Sequence, residues 1–142
     1  MTSNRRICQN QERTHVRRCK VITEDTHDGG MSLKIGVDIV HIPRIKKGLN
    51  DDFISKVLSD GEASYFRGLP EQRALEFLAG RFAAKEAIIK CFDDGCESPV
   101  MFEIEILNDA SGRPQVNYKD HTISVSISHE NEYAVAMALL ES

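Results

Sequence analysis

Apolar and polar residues alternate through LKIGVDIV at 33–40. Leu33, Ile35, Val37 and Ile39 fall on one face and Lys34, Gly36, Asp38 and Val40 on the other, a period of two that predicts a strand. The period then lengthens. Phe53, Ile54, Val57 and Leu58 lie at helical spacing, and Ser59 with Glu62 three residues later makes a capping-box pattern opening a short helix through about Phe66. Gly68 and Pro70 interrupt the chain, with Pro70 placed near a helix start. From Glu71 to Cys91 the pattern is helical, with Ala74, Phe77, Leu78, Phe82 and Ile89 forming an apolar stripe. Three strands are expected at 102–107, 114–118 and 122–128, with Asn108-Asp109 and Ser111-Gly112 marking a turn between the first two. The last run, YAVAMALL at 133–140, fits either class, since its alanines suit a helix and its alternation a strand. These elements define an α+β fold, early helices packed on an antiparallel sheet.

The patterning begins abruptly after Met31. Residues 1–30 contain no internal apolar run of the kind a secretory signal carries, and are expected to be a disordered extension, with 31–142 the folded domain. An organellar import sequence is the alternative, because the first twenty residues are Arg-rich and nearly free of acids. The head carries a net charge of +2 and the remainder -6, within a chain of 142 residues and net charge -4. An acidic body argues against general nucleic-acid binding, which depends on neutralising phosphates. No apolar run approaches the roughly 18–20 residues a membrane span requires. Cys8, Cys19, Cys91 and Cys96 have neither CxxC spacing nor a nearby histidine that completes a zinc set, so they are expected as reduced thiols of a cytoplasmic protein.

Candidate chemistry is sparse. Asp38 is a carboxylate inside an apolar strand, where it needs a cation, a metal or hydrogen-bond donors; a backbone-satisfied or ion-paired structural role serves equally at this point. Glu86 and Lys90 share a helix face four residues apart, while Arg81 and Lys85 share another. Two carboxylates would suit Mg²⁺, which prefers hard oxygen ligands and bridges to phosphates; a surface ion pair is the plainer reading of Glu86 and Lys90. His129 ends ISVSISH, where it can donate to a phosphate, shuttle a proton or simply cap the strand. Ser124, Ser126 and Ser128 lie on the opposite face, without the Gly-x-Ser-x-Gly setting of a serine nucleophile. The chain lacks GxxxxGK[ST] and any GxGxxG after a strand, and Ile88 stands where a Glu-x-Lys nuclease site would place its lysine.

Taken in order, GVDIV at 36–40 with Arg44-Ile45, FLAGRFAAKEAIIK at 77–90 and SISHE at 126–130 resemble the holo-(acyl carrier protein) synthases, the small bacterial-type 4′-phosphopantetheinyl transferases. The resemblance spans Met31 to Ser142, including Gly112 and Pro114. It implies transfer of the phosphopantetheine arm of coenzyme A to a serine of apo-acyl carrier protein, releasing adenosine 3′,5′-bisphosphate, in support of fatty acid biosynthesis. By the same resemblance Asp38 and Glu86 match magnesium ligands, and Glu86, or a water it orients, is the candidate base. Lys90 and His129 match residues that approach the coenzyme A phosphates, and both join Glu86 as candidate catalytic residues. Arg44, Lys46 and Lys47 fall where the family docks its acidic carrier. A homotrimer is implied, with His129 reaching a site whose Asp38, Glu86 and Lys90 belong to the adjacent protomer. CFDDGCESP at 91–99 departs from the usual glycine-rich loop. A catalytically inert coenzyme A-binding homologue is the alternative function.

Overall fold

A computed structural model describes residues 32–92 and 97–141. The extension expected at 1–30 lies outside the described residues, as do Cys8, Cys19 and Cys96. Strand β1 (Leu33–His41) leads into four helices, α1 (Ile42–Lys47), α2 (Asp51–Val57), α3 (Asp60–Arg67) and α4 (Glu71–Lys90). Strands β2 (Glu105–Asn108), β3 (Pro114–Asn117), β4 (Thr122–His129) and β5 (Tyr133–Glu141) follow. β1, β5 and β4 form an antiparallel sheet in that order, and β2 pairs with β3 in a separate hairpin. The ambiguous run at 133–140 is therefore a strand: it is the central one, bonded on both edges, and its alternation outweighs the helical propensity of its alanines.

The expected strand at 102–107 is corrected. Met101–Glu103 is a single 3₁₀ turn closed by Glu103 N–H to Val100 and Ile104 N–H to Met101, so extended pairing starts only at Glu105. Helix α1 has no counterpart in the sequence expectation, because six residues are too few to show a period; Pro43 in its first turn and the burial of Ile42 and Ile45 hold it. The Ser59–Glu62 capping box forms as expected, and α4 ends one residue earlier than expected.

Helix α4 crosses one face of the sheet, and both surfaces are built from small residues. Ala79, Ala83, Ala84 and Ala87 meet Ala134, Ala136 and Ala138, all buried. The expected stripe is thus shifted: Leu78 and Ile89 are core residues, whereas Phe77 and Phe82 are only half-buried at its margin. Close approach is tightest at Gly36, where an added Cβ would lie 1.9 Å from the Ala87 carbonyl oxygen. The sheet's two faces reverse the usual hydrophobic order. Gly36, Asp38 and the alanines of β5 point inward, while Ile35, Val37 and Ile39 of β1 and Val135 and Met137 of β5 are exposed, Ile39 to 64%.

Candidate active site

The inward position of Asp38 follows from strand parity, which it shares with Gly36 and Val40, both packed beneath α4. Asp38 as a whole residue is 4% exposed. Lys90, in the last turn of α4, reaches back across the seam: its Nζ donates to the Val37 carbonyl at 2.6 Å and lies 3.3 Å from Asp38 Oδ1. Burial raises the Asp38 carboxyl pKa above the ordinary carboxylate range, against the pull of the Lys90 charge, its hydrogen bond and the Ile39 backbone. Glu86 is one helical turn before Lys90, half-buried, next to the Ala87 that touches Gly36. Asp38 and Lys90 therefore meet at the seam between β1 and α4, with Glu86 one helical turn before Lys90. Lys90 is thus paired with the strand.

His129 is placed elsewhere. It lies opposite Ala134, which faces Val40 on its other side, so it is two strands, roughly 10 Å, from β1 and one pleat beyond the Asp38 row. It is exposed at the end of β4. Arg44, Lys46 and Lys47 fall in the last turn of α1, all exposed. The neighbouring Asp52 is paired with Lys56 at 2.9 Å on the surface of α2.

Arg81 and Lys85, read from the sequence only as sharing a face, are both buried, Lys85 completely. Lys85 Nζ donates to the Val57 carbonyl at 2.6 Å and to Glu62 Oε1, which also accepts from Ser59 N–H; Glu62 Oε2 accepts from Ile106 N–H at 3.1 Å. Arg81 donates to the Ile106 carbonyl and to Asn108, each at 3.0 Å. Burial lowers the pKa of both cations, against the raising effect of the Glu62 charge. Among the described residues, no buried side-chain nitrogen or oxygen lacks a hydrogen-bond partner. The capping box was the one legible sign of this network, since it marks Glu62 but not its partners.

Most of the unusual loop after α4, residues 93–96, lies outside the described residues. Beyond it, Glu97 accepts from Tyr118 and Lys119 at 2.9 Å and meets His121 at 3.2 Å. The Lys119 hydrogen bond, then that of Tyr118, holds the Glu97 carboxyl below its ordinary range. Phe92, at the end of α4, packs edge-on against both Tyr118 and His121. In the β2–β3 turn, Asp109 Oδ1 accepts from Ser111 N–H, Ser111 Oγ and Arg113 N–H, and Gly112 takes φ +86°. Among the described residues, no helix is long and apolar enough to cross a membrane.

The α+β unit thus sets a buried carboxylate, Asp38, against the Lys90 ammonium, with a second carboxylate, Glu86, one helical turn before that lysine. Comparison with known proteins gives the family. The model of the 4′-phosphopantetheinyl transferase superfamily matches residues 34–138, and the chain belongs to that family. A holo-[acyl-carrier-protein] synthase of Geobacillus sp. (strain WCH70) is 45% identical over 116 residues, covering 78% of this chain and 98% of the relative. Among solved structures, a holo-(acyl-carrier-protein) synthase from Bacillus anthracis str. Ames in complex with CoA (3′,5′-ADP) superposes with TM-score 0.73 at 41% identity, over 80% of this chain and 99% of that one. Holo-ACP-synthase from Plasmodium yoelii gives TM-score 0.67 at 32% identity, over 80% and 98%. The chain is a phosphopantetheinyl transferase.

Proposed function

We propose that this enzyme transfers 4′-phosphopantetheine from coenzyme A to a serine hydroxyl of apo-acyl carrier protein, releasing adenosine 3′,5′-bisphosphate, in the cytoplasm and in support of fatty acid biosynthesis. The carrying observation is the seam at which buried Asp38 meets Lys90, one turn from Glu86. A relative named holo-[acyl-carrier-protein] synthase, 45% identical, supports the choice of acceptor, and a solved synthase in complex with CoA supports the donor.

The donor set fits a magnesium ion. Asp38 and Glu86 offer carboxylate oxygens from adjoining elements, and Mg²⁺ is commonly held by one or two carboxylates with substrate phosphates and waters. When bound, the ion neutralises charge on the pyrophosphate oxygens. Asp38, drawn toward its neutral form by burial and held in place by its strand, would be kept ionised by such a cation. Lys90 presents an ammonium at the same seam, where it can turn from Asp38 to a substrate phosphate and stabilise the leaving group. Glu86, or a water it orients, accepts the proton of the attacking serine hydroxyl.

His129 is remote from this seam within one chain, and the exposed apolar sheet face supports assembly as a homotrimer in which it serves a neighbour's site. Arg44, Lys46 and Lys47 form the docking edge for the acidic carrier. Intact-mass measurement of apo-carrier protein incubated with enzyme, coenzyme A and Mg²⁺ tests the function. A mass gain of one phosphopantetheine is expected, and an unmodified carrier that an active transferase can convert would overturn it.

A further inference from the structure

The two residues of α4 that flank Glu86 are held in different ways. Lys85 is locked by its ammonium to Glu62 and to the last carbonyl of α2, with both charged side chains fully buried. Ala87 is pressed against Gly36 so closely that no side chain could come between them. Successive helical residues are about 100° apart, so these two holds act on nearly opposite sides of the helix with Glu86 between them. Rotating α4 to turn Glu86 away from β1 would have to pull Lys85 off Glu62 and drive Ala87 into the strand. Glu62 is in turn immobile, since its two oxygens accept from Ser59 and Ile106 N–H and it caps α3.

We propose that Glu62 and Lys85 are positioning residues for the transfer reaction: their buried ion pair fixes the rotation of α4 and thereby the direction of the Glu86 carboxylate. The inference rests on the transferase reading of Glu86. A buried ion pair is a poor source of stability, because replacing both partners by neutral groups of similar volume is often neutral or stabilising. A role in orientation accounts for its presence, and it separates from stability by experiment.

The double variant Glu62→Gln/Lys85→Met removes both charges. The amide keeps an acceptor for one of the two backbone N–H groups and turns its NH2 toward the other. The Val57 carbonyl loses the ammonium, Arg81 loses the facing carboxylate, and the methionine refills the lysine stem's volume. Expected are a folded protein of lowered melting temperature, assayed well below it, with kcat reduced by up to roughly 100-fold, as about 1 Å of misplacement can bring, and an unchanged KM for the carrier. The Mg²⁺ concentration for half-maximal rate rises several-fold, and calorimetry shows the same loss in Mg²⁺-dependent coenzyme A binding without carrier. Glu62→Asp, which keeps every charge but shortens the reach by one methylene, shows a smaller change of the same kind and decides the matter if the double variant does not fold. Wild-type kcat and Mg²⁺ dependence in a folded variant would overturn the proposal, leaving the pair a purely structural one. If the wild-type protein bound coenzyme A with Mg²⁺ yet modified no carrier, the transfer reading alone would fall, and the calorimetric comparison would still test the orientation.

Discussion

The Lys90 ammonium sits 3.3 Å from the Asp38 carboxylate, the lysine side chain 12% exposed and the aspartate 3%. Lys90→Met removes the cation and leaves a buried carboxylate whose remaining partner is the Ile39 backbone. The expected loss is roughly 2 kcal/mol at pH 7 by urea unfolding, with little activity remaining. Burial then raises the Asp38 pKa without opposition from Lys90. The variant's deficit should therefore shrink as the pH is lowered and Asp38 takes up a proton.

Asp38→Asn should behave in the opposite way. A carboxyl whose folded pKa exceeds its unfolded value stabilises the fold at low pH, and that contribution is lost as pH rises through the folded pKa. Removing the charge at pH 7, without divalent metal, should leave the melting temperature equal to or above wild type. Turnover should fall at least about 100-fold if the carboxylate holds the metal. A large drop in melting temperature would mean that the charge is chiefly structural.

Gly36→Ala tests the approach of β1 to α4. The new methyl would meet backbone and not a flexible side chain, so the helix and strand must separate. An overpacking cost of about 3 kcal/mol is expected, seen as a melting temperature lower by about 10 °C, together with loss of activity.

The outer sheet face makes assembly testable. Val135→Lys/Met137→Lys places two charges on the exposed apolar surface of β5. Light scattering should show a monomer with unchanged circular dichroism and lost activity, where the proposed assembly expects a trimer for the wild type. Subunit exchange gives a second measurement: His129→Ala and Glu86→Gln proteins, separately inactive, should regain part of the activity when mixed. Failure to complement after proven exchange would place each site within one chain.

Local signals explain which features were legible in the sequence. The Ser59–Glu62 box and the long period of α4 lie within a few residues of their causes, so they read directly. The strand at 133–141 did not, because its class depends on two partners distant in sequence. Asp38, Glu86 and Lys90 could be marked as a group only through resemblance; their meeting depends on the Gly36–Ala87 approach across about fifty residues of chain. The burial of Lys85 was hidden for a related reason. A lysine beside a glutamate on a helix looks solvated until the distant Glu62 and Val57 carbonyl are placed against it.

The pairing of Leu33 with Glu141 has a practical consequence for handling the protein. The described chain enters and leaves the sheet side by side, whereas His41, Tyr133 and His129 lie at the opposite end, roughly 25 Å along the strands. A fusion partner or surface linkage joined directly before Leu33 or after Glu141 would therefore attach at the end of the sheet away from His129 and the entry to α1. Immobilised enzyme should keep that end free for a large protein substrate.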